Sequence, residues 1–166
     1  PLTNLICNLQ KTSSTITKTK TMKNAITLLL FLISSTFFAQ NYNTKKGFIA
    51  DGYDVVSYFN QKAEKGNKEF TAEFDGVKFK FSSKQNLALF KENPRKYTPQ
   101  YGGYCAYAIG AKEKKVDIDP KTFEIRDGRL YLFYNAWGTN TFELWEKEGA
   151  DKLRKQADKN WEKLIK

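Results

Sequence analysis

Histidine is absent from this 166-residue chain, and sulfur is almost absent: Cys7, Met22 and Cys105 are all it has. Without imidazole there is no His-based catalytic triad and no His-ligated metal. Two thiols cannot complete a four-cysteine zinc site within one chain. Long apolar runs are also missing. The longest, Ala25 to Ile33, falls well short of the roughly 20 residues that span a bilayer. What is present is 40% hydrophobic and 15% aromatic in 19.2 kDa. That suffices for one packed domain and excludes wholesale disorder.

The apolar run has a basic residue before it, Lys23, and ends in Phe37-Phe38-Ala39-Gln40. This order describes a secretory signal over 22–39, with Phe37 bulkier than such sites prefer. A buried core segment is the alternative. No cysteine follows Ala39, so no lipid-attached terminus is offered, and no stable membrane anchor is expected after cleavage. Residues 1–21 contain Thr, Ser and Lys but no acid. They are expected to be upstream sequence before a start at Met22, with a basic targeting peptide as the alternative. The formal charge is +10, and Lys11, Lys18, Lys20 and Lys23 carry four of it, leaving +6 on 40–166. Those lysines are interleaved with acids, as on a solvated surface, so no nucleic-acid partner is expected. Cys105 becomes the lone thiol there, and no intrachain disulfide can form.

Along 40–166, Gln40 to Gly47 is expected to be a polar linker. Gly52 to Phe59 is expected to hold a short strand or a single helical turn, and Gln61 to Lys68 a charged loop. Phe70–Phe74, Asp75-Gly76 and Val77–Phe81 alternate with period two around a type I′ turn. Folding about it pairs Phe74 with Val77, Ala72 with Phe79, Phe70 with Phe81 and, on the other face, Glu73 with Lys78. Ser82 and Gln85 resemble a capping box for a helix that Asn93-Pro94 ends. A turn into a short helix is read over 101–108, where Gly102 and Gly103 permit close backbone packing. Phe123–Arg126, Asp127-Gly128 and Arg129–Leu132 repeat the hairpin, with Ile125 opposite Leu130 and Phe123 opposite Leu132. Asn140 and Glu143 resemble a helix start and Gly149 a stop. Leu153, Ala157, Trp161 and Leu164 lie on one face of a last amphipathic helix. Trp137, Trp145 and Trp161 are expected to anchor these helices. The fold class is therefore α+β, a small single domain with two β-hairpins packed against about three helices.

Tyr53-Asp54-Val55-Val56, Phe79-Lys80-Phe81-Ser82-Ser83 and Phe90-Lys-Glu-Asn-Pro94-Arg-Lys-Tyr97 together resemble the YHS domain family. Pro99 to Tyr107, with its Gln-Tyr-Gly-Gly-Tyr-Cys-Ala-Tyr string, and Asp119 to Asn135 are similar to a longer exported subgroup. The resemblance implies a YHS-like domain over 48–166 and a link to metal homeostasis. Metal-handling versions carry three cysteines that fall here on Ser57, Ser82 and Asn86, while Tyr58 and Phe59 replace a Gly-Met pair. Hydroxyl and amide groups lack the soft, readily ionised sulfur of a thiolate. The metal site of those relatives does not carry over.

Tyr53, Tyr58, Tyr101, Tyr104, Cys105 and Tyr107 remain as candidates for an aromatic ligand pocket; core packing explains them equally well. Cys105 is the only weak metal candidate and the only thiol nucleophile, with Lys112, Lys114 and Lys115 near it in sequence. The bland alternative is a small buried side chain. Asp117 and Asp119 offer hard oxygen ligands or a turn before Pro120. No cofactor and no catalytic residue is called for. The functional expectation is an exported, non-catalytic binding module for a small ligand or a protein partner. The alternatives are copper trafficking by Cys105 across a dimer, and a thiol- or tyrosine-dependent redox enzyme.

Overall fold

Both Asp-Gly pairs reverse the chain as their chemistry requires. Asp75 and Gly76 have φ of 50° and 73°, and Asp127 and Gly128 have 50° and 69°, the left-handed pair of a type I′ turn. The computed structural model describes residues 41–166; the expected leader (1–21) and secretory signal (22–39) lie outside the described residues.

Strands β1 (Thr44–Lys45), β2 (Phe48–Ile49), β3 (Asn67–Phe74) and β4 (Val77–Phe81) form one sheet in the order β1-β2-β4-β3, with β2 parallel to β4. The β3–β4 register pairs Phe74 with Val77, Glu73 with Lys78 and Ala72 with Phe79, as the alternation predicts. Phe70 does not pair with Phe81. An irregularity between Asn67 and Thr71 puts Asn67 opposite Phe81 instead. Just before it, Gly66 crosses so close to β4 that a Cβ would sit 2.3 Å from the Lys80 Cβ. That crossing needs a residue without a side chain.

Residues 41–47 are not a linker. Asn43 donates its N–H to the Gly102 carbonyl at 2.8 Å, and Thr44–Lys45 pairs with β2. A Cβ on Gly102 would lie 1.9 Å from the Asn41 carbonyl oxygen, and Gly102 has φ of 60°. The paired glycines therefore serve to seat this segment.

Helix α1 spans Lys84–Glu92 and begins one residue later than the capping box suggests. Ser83, not Ser82, accepts from the Asn86 N–H at 3.1 Å, because Asp54 engages Ser82. Asn93 then caps the short α2 (Pro94–Tyr97), where Pro94 occupies the first turn and loses nothing by lacking an N–H. Helix α3 covers Ala106–Lys112 after a 3-10 turn at Gln100–Gly103. The second hairpin, β5 (Asp119–Arg126) and β6 (Arg129–Phe133), has Ile125 opposite Leu130 and Phe123 opposite Leu132. A minor hairpin, β7 (Asn135–Ala136) and β8 (Thr139–Asn140), leads into α4 (Thr141–Glu148) and α5 (Ala150–Leu164). Asn140 caps α4 by accepting from the Phe142 N–H at 3.1 Å, and Gly149 closes it.

The described residues thus make a small α+β domain with five α-helices rather than about three. The short helix that Pro94 begins was not anticipated, whereas Ala106–Lys112 follows the turn into a short helix read over 101–108. Phe79, Phe81 and Phe90 stack between the first sheet and α1 at centroid distances of 4.5 and 4.9 Å from Phe90. Tyr131, Phe133 and Trp145 pack β6 against α4. Trp145 is buried and Trp161 half-buried, as anchors should be. Trp137 is not an anchor: it is 99% exposed at the β7–β8 turn.

Candidate functional site

The candidate tyrosines do not share a pocket. Tyr58 is buried, its ring 4.7 Å from Phe123, and its hydroxyl donates to the Pro120 carbonyl at 2.6 Å. Burial pushes its ionisation well above the ordinary tyrosine value. Tyr107 donates to Glu148 at 2.8 Å, Tyr104 to the Tyr42 carbonyl at 3.4 Å and Tyr101 to Asp158 at 2.9 Å. Tyr53 faces a different cavity from Tyr101. Cys105 is a free, fully buried thiol, 3.3 Å from the Thr141 hydroxyl. No group of three His, Cys, Asp or Glu side chains is placed to hold a metal ion among the described residues. Asp117 is held by Asn43 at 3.0 Å, whereas Asp119 accepts from the Lys121 N–H and the Thr122 hydroxyl. The two acids serve separate local structures.

Ser57, Ser82 and Asn86 do meet, around a residue that sequence reasoning passed over. Asp54 is fully buried and has no ion-pair partner among the described residues. Its Oδ2 accepts from the Ser82 N–H at 2.7 Å, the Ser82 hydroxyl at 2.8 Å and the Asn86 amide at 2.7 Å. Its Oδ1 accepts from the Val56 N–H at 2.9 Å. The Ser57 hydroxyl completes the junction, its one proton shared between the Asp54 and Lys62 carbonyls at 2.7 and 2.8 Å. A carboxylate with this many neutral donors is stable in a buried site without a counter-ion. The Ser82 and Asn86 side chains thus donate to a structural carboxylate, and the Ser57 hydroxyl to main-chain carbonyls. In the sequence Asp54 stood only within the Tyr53-Asp54-Val55-Val56 motif, with no role assigned to it.

A wide concavity lies elsewhere. A groove of about 760 Å³ runs between the 95–102 segment, the 41–42 segment and the last two turns of the chain. Tyr42, Phe74, Tyr101, Trp161 and Ile165 supply its apolar walls, with Tyr101 and Trp161 edge to face at 6.2 Å. Its charged groups are Asp75, Asp158, Glu162 and Arg95, so this part of a cationic domain is locally acidic. Tyr42 donates to Asp75 at 3.4 Å. Burial first, then the Asp75 carboxylate, push the Tyr42 phenol up to about 12. Of the proposed pocket residues, only Tyr101 lines this groove. Trp161 was legible as part of a helix stripe; that its far edge helps build a cavity depends on the 101–103 turn docking there.

Compared with protein-family models, with curated proteins and with solved structures, the chain matches none.

Proposed function

We propose that this protein is an exported, non-catalytic binding module, a YHS-like domain over 48–166 whose docked 41–47 segment helps form an aromatic groove for a small ligand. The carrying observation is the groove itself. It has the volume of a small-molecule site, a ring pair at its floor and carboxylates at its rim. Flat or aliphatic bodies suit the Tyr101–Trp161 wall, and a protonated amine suits Asp75, Asp158 and Glu162. The export signal is read from residues 22–39, and the domain class from the motif resemblance. Metal homeostasis rests on that resemblance alone. The fully buried sulfur of Cys105 gives no support to copper shared between two chains, which needs an accessible thiolate.

The test is amide-shift mapping of the purified protein against a set of small amines and their neutral and acidic analogues. Binding in about the millimolar range or tighter should shift Tyr42, Tyr101 and Trp161 together. Ile165→Trp, at a position 40% exposed on the groove, should fill the space and abolish it. Compounds that bind without moving these signals, or a set in which nothing binds, would refute the reading.

A further inference from the structure

A second cavity, of about 430 Å³, opens between the β1–β2 turn, the 3-10 turn at Ala50–Gly52, Lys65 and β4. Its chemistry is the reverse of the groove's. Lys45, Lys46, Lys65 and Lys80 line it against two acids, Asp51 and Asp119. The acids are already engaged. Asp51 pairs with Lys45 at 3.0 Å. Asp119 accepts from the Lys121 N–H at 3.0 Å and the Thr122 hydroxyl at 3.1 Å. Lys46, Lys65 and Lys80 have no carboxylate within ion-pair distance among the described residues.

Two features separate this cavity from an ordinary solvated lysine face. First, Lys80 is held in place. Its ammonium lies 4.0 Å from the centre of the Phe48 ring. Its stem occupies the space that a side chain on Gly52 would take, 3.4 Å from the position of that absent Cβ. A lysine fixed by a ring and a glycine loses less freedom on binding than a free one. Second, Tyr53 lines the same cavity while only 7% exposed. Its hydroxyl makes no hydrogen bond among the described residues and is not sealed from solvent, so it is free to meet a ligand in the cavity. Three lysines and one free tyrosine hydroxyl, drawn from four separate segments, line the same space.

We propose that this cavity is an oxyanion site, taking a phosphate or carboxylate group of a small molecule between Lys46, Lys65 and Lys80 with the Tyr53 hydroxyl as an added donor. The site is independent of the groove and of its proposed ligand.

The experiment titrates the full protein with inorganic phosphate at low ionic strength and follows backbone amide shifts. The signals of Tyr53, Lys65 and Lys80 should saturate together with one dissociation constant. Tyr53→Phe removes only an unpartnered hydroxyl. It should leave the thermal midpoint in place and weaken phosphate binding about tenfold, the size of a hydrogen bond to a charged group. Lys80→Met, which keeps an apolar stem over Phe48, should weaken it at least as much. Lys155→Met, on the exposed side of α5, should change it less than about twofold, since surface charges act weakly beyond a Debye length. A parallel titration with benzoate decides the source: saturation at the same amides admits carboxylates, and silence narrows the class to phosphates. No saturation below about 10 mM, no effect of Tyr53→Phe, or an equal loss in Lys155→Met would overturn the proposal; the last would mark general attraction of anions to a basic protein.

Discussion

Replacing Asp54 tests whether a buried carboxylate without a counter-ion holds the domain's amino-terminal half together. In Asp54→Ala the Ser82 and Val56 N–H groups lose their acceptor at 2.7 and 2.9 Å. Each stranded donor costs about 1–3 kcal/mol. Ser57 keeps its backbone bond to the residue 54 carbonyl at 3.2 Å. The Ser82 hydroxyl and Asn86 amide, 3.3 Å apart, can pair with each other. Two stranded donors and a small void therefore set the loss at about 3–5 kcal/mol, against a total of about 5–15 kcal/mol for a domain of this kind. Asp54→Asn keeps the shape but turns one acceptor into a donor. Its amide must face either the Val56 N–H or the Ser82 and Asn86 donors. The loss there is about 2–3 kcal/mol. Urea unfolding at neutral pH, with equal slopes for the three proteins, reads both values. The opposing effect is desolvation of the carboxylate, which makes some buried charges a net burden. If Asp54→Ala costs less than about 1 kcal/mol, or stabilises the protein, desolvation wins and the account of Asp54 given above is wrong.

Three further outcomes follow from the geometry. Gly110→Ala brings a Cβ to 2.7 Å from the Leu153 carbonyl oxygen. The backbone cannot yield there, so a loss of about 1–3 kcal/mol is expected in urea unfolding despite alanine's better helix propensity; a gain would show that α3 and α5 are free to separate. Trp137 holds φ of 54° while almost wholly exposed. Trp137→Asn should therefore raise stability by about 0.5–1 kcal/mol, read as a higher melting temperature, and a drop would reveal packing that the side chain makes. Tyr42, Tyr58 and Tyr101 all ionise above the usual tyrosine value because of burial, with carboxylates adding to it at Tyr42 and Tyr101. The unfolded chain loses these protons from pH about 10 while the folded one keeps them, so stability is complete below pH about 10 and falls as pH rises toward 12 and beyond. Phenolate absorbance and circular dichroism should then change together; titration of all tyrosines near pH 10 with the fold intact would contradict this.

The hairpins and the α4 boundaries were legible because their causes are local. Asp-Gly fixes the turn, period-two alternation fixes the face, and Asn140 and Gly149 sit at the ends of α4. The Phe70–Phe81 pairing failed because the chain crosses β4 at Gly66, a long-range approach with no trace in the alternation. Ser82 was misread as a cap because two serines stand in a row, and only the position of Asp54 decides which one is free to cap. Trp137 was misread because an aromatic residue resembles an anchor until its turn is seen to face water. The tyrosines were grouped by their shared aromatic character, yet Tyr53 and Tyr101 face different cavities and Tyr58 is buried in the core.

By itself, the sequence determined what chemistry is closed to this chain. With no imidazole and one thiol after residue 39, no arrangement of a single copy supplies a His- or multi-thiolate metal centre. It also determined the turns, the amphipathic faces and the α+β class, which depend on residues a few positions apart. Only the tertiary structure decided which polar groups share a space. Asp54 finds Ser82 and Asn86 from 28 and 32 residues away. Lys46, Tyr53, Lys65 and Lys80 reach one cavity from four segments. The groove forms where the 101–103 turn meets the last helix. Electrostatic and hydrogen-bond partnerships depend on distance in space, and a linear order of residues does not contain those distances until the core has packed.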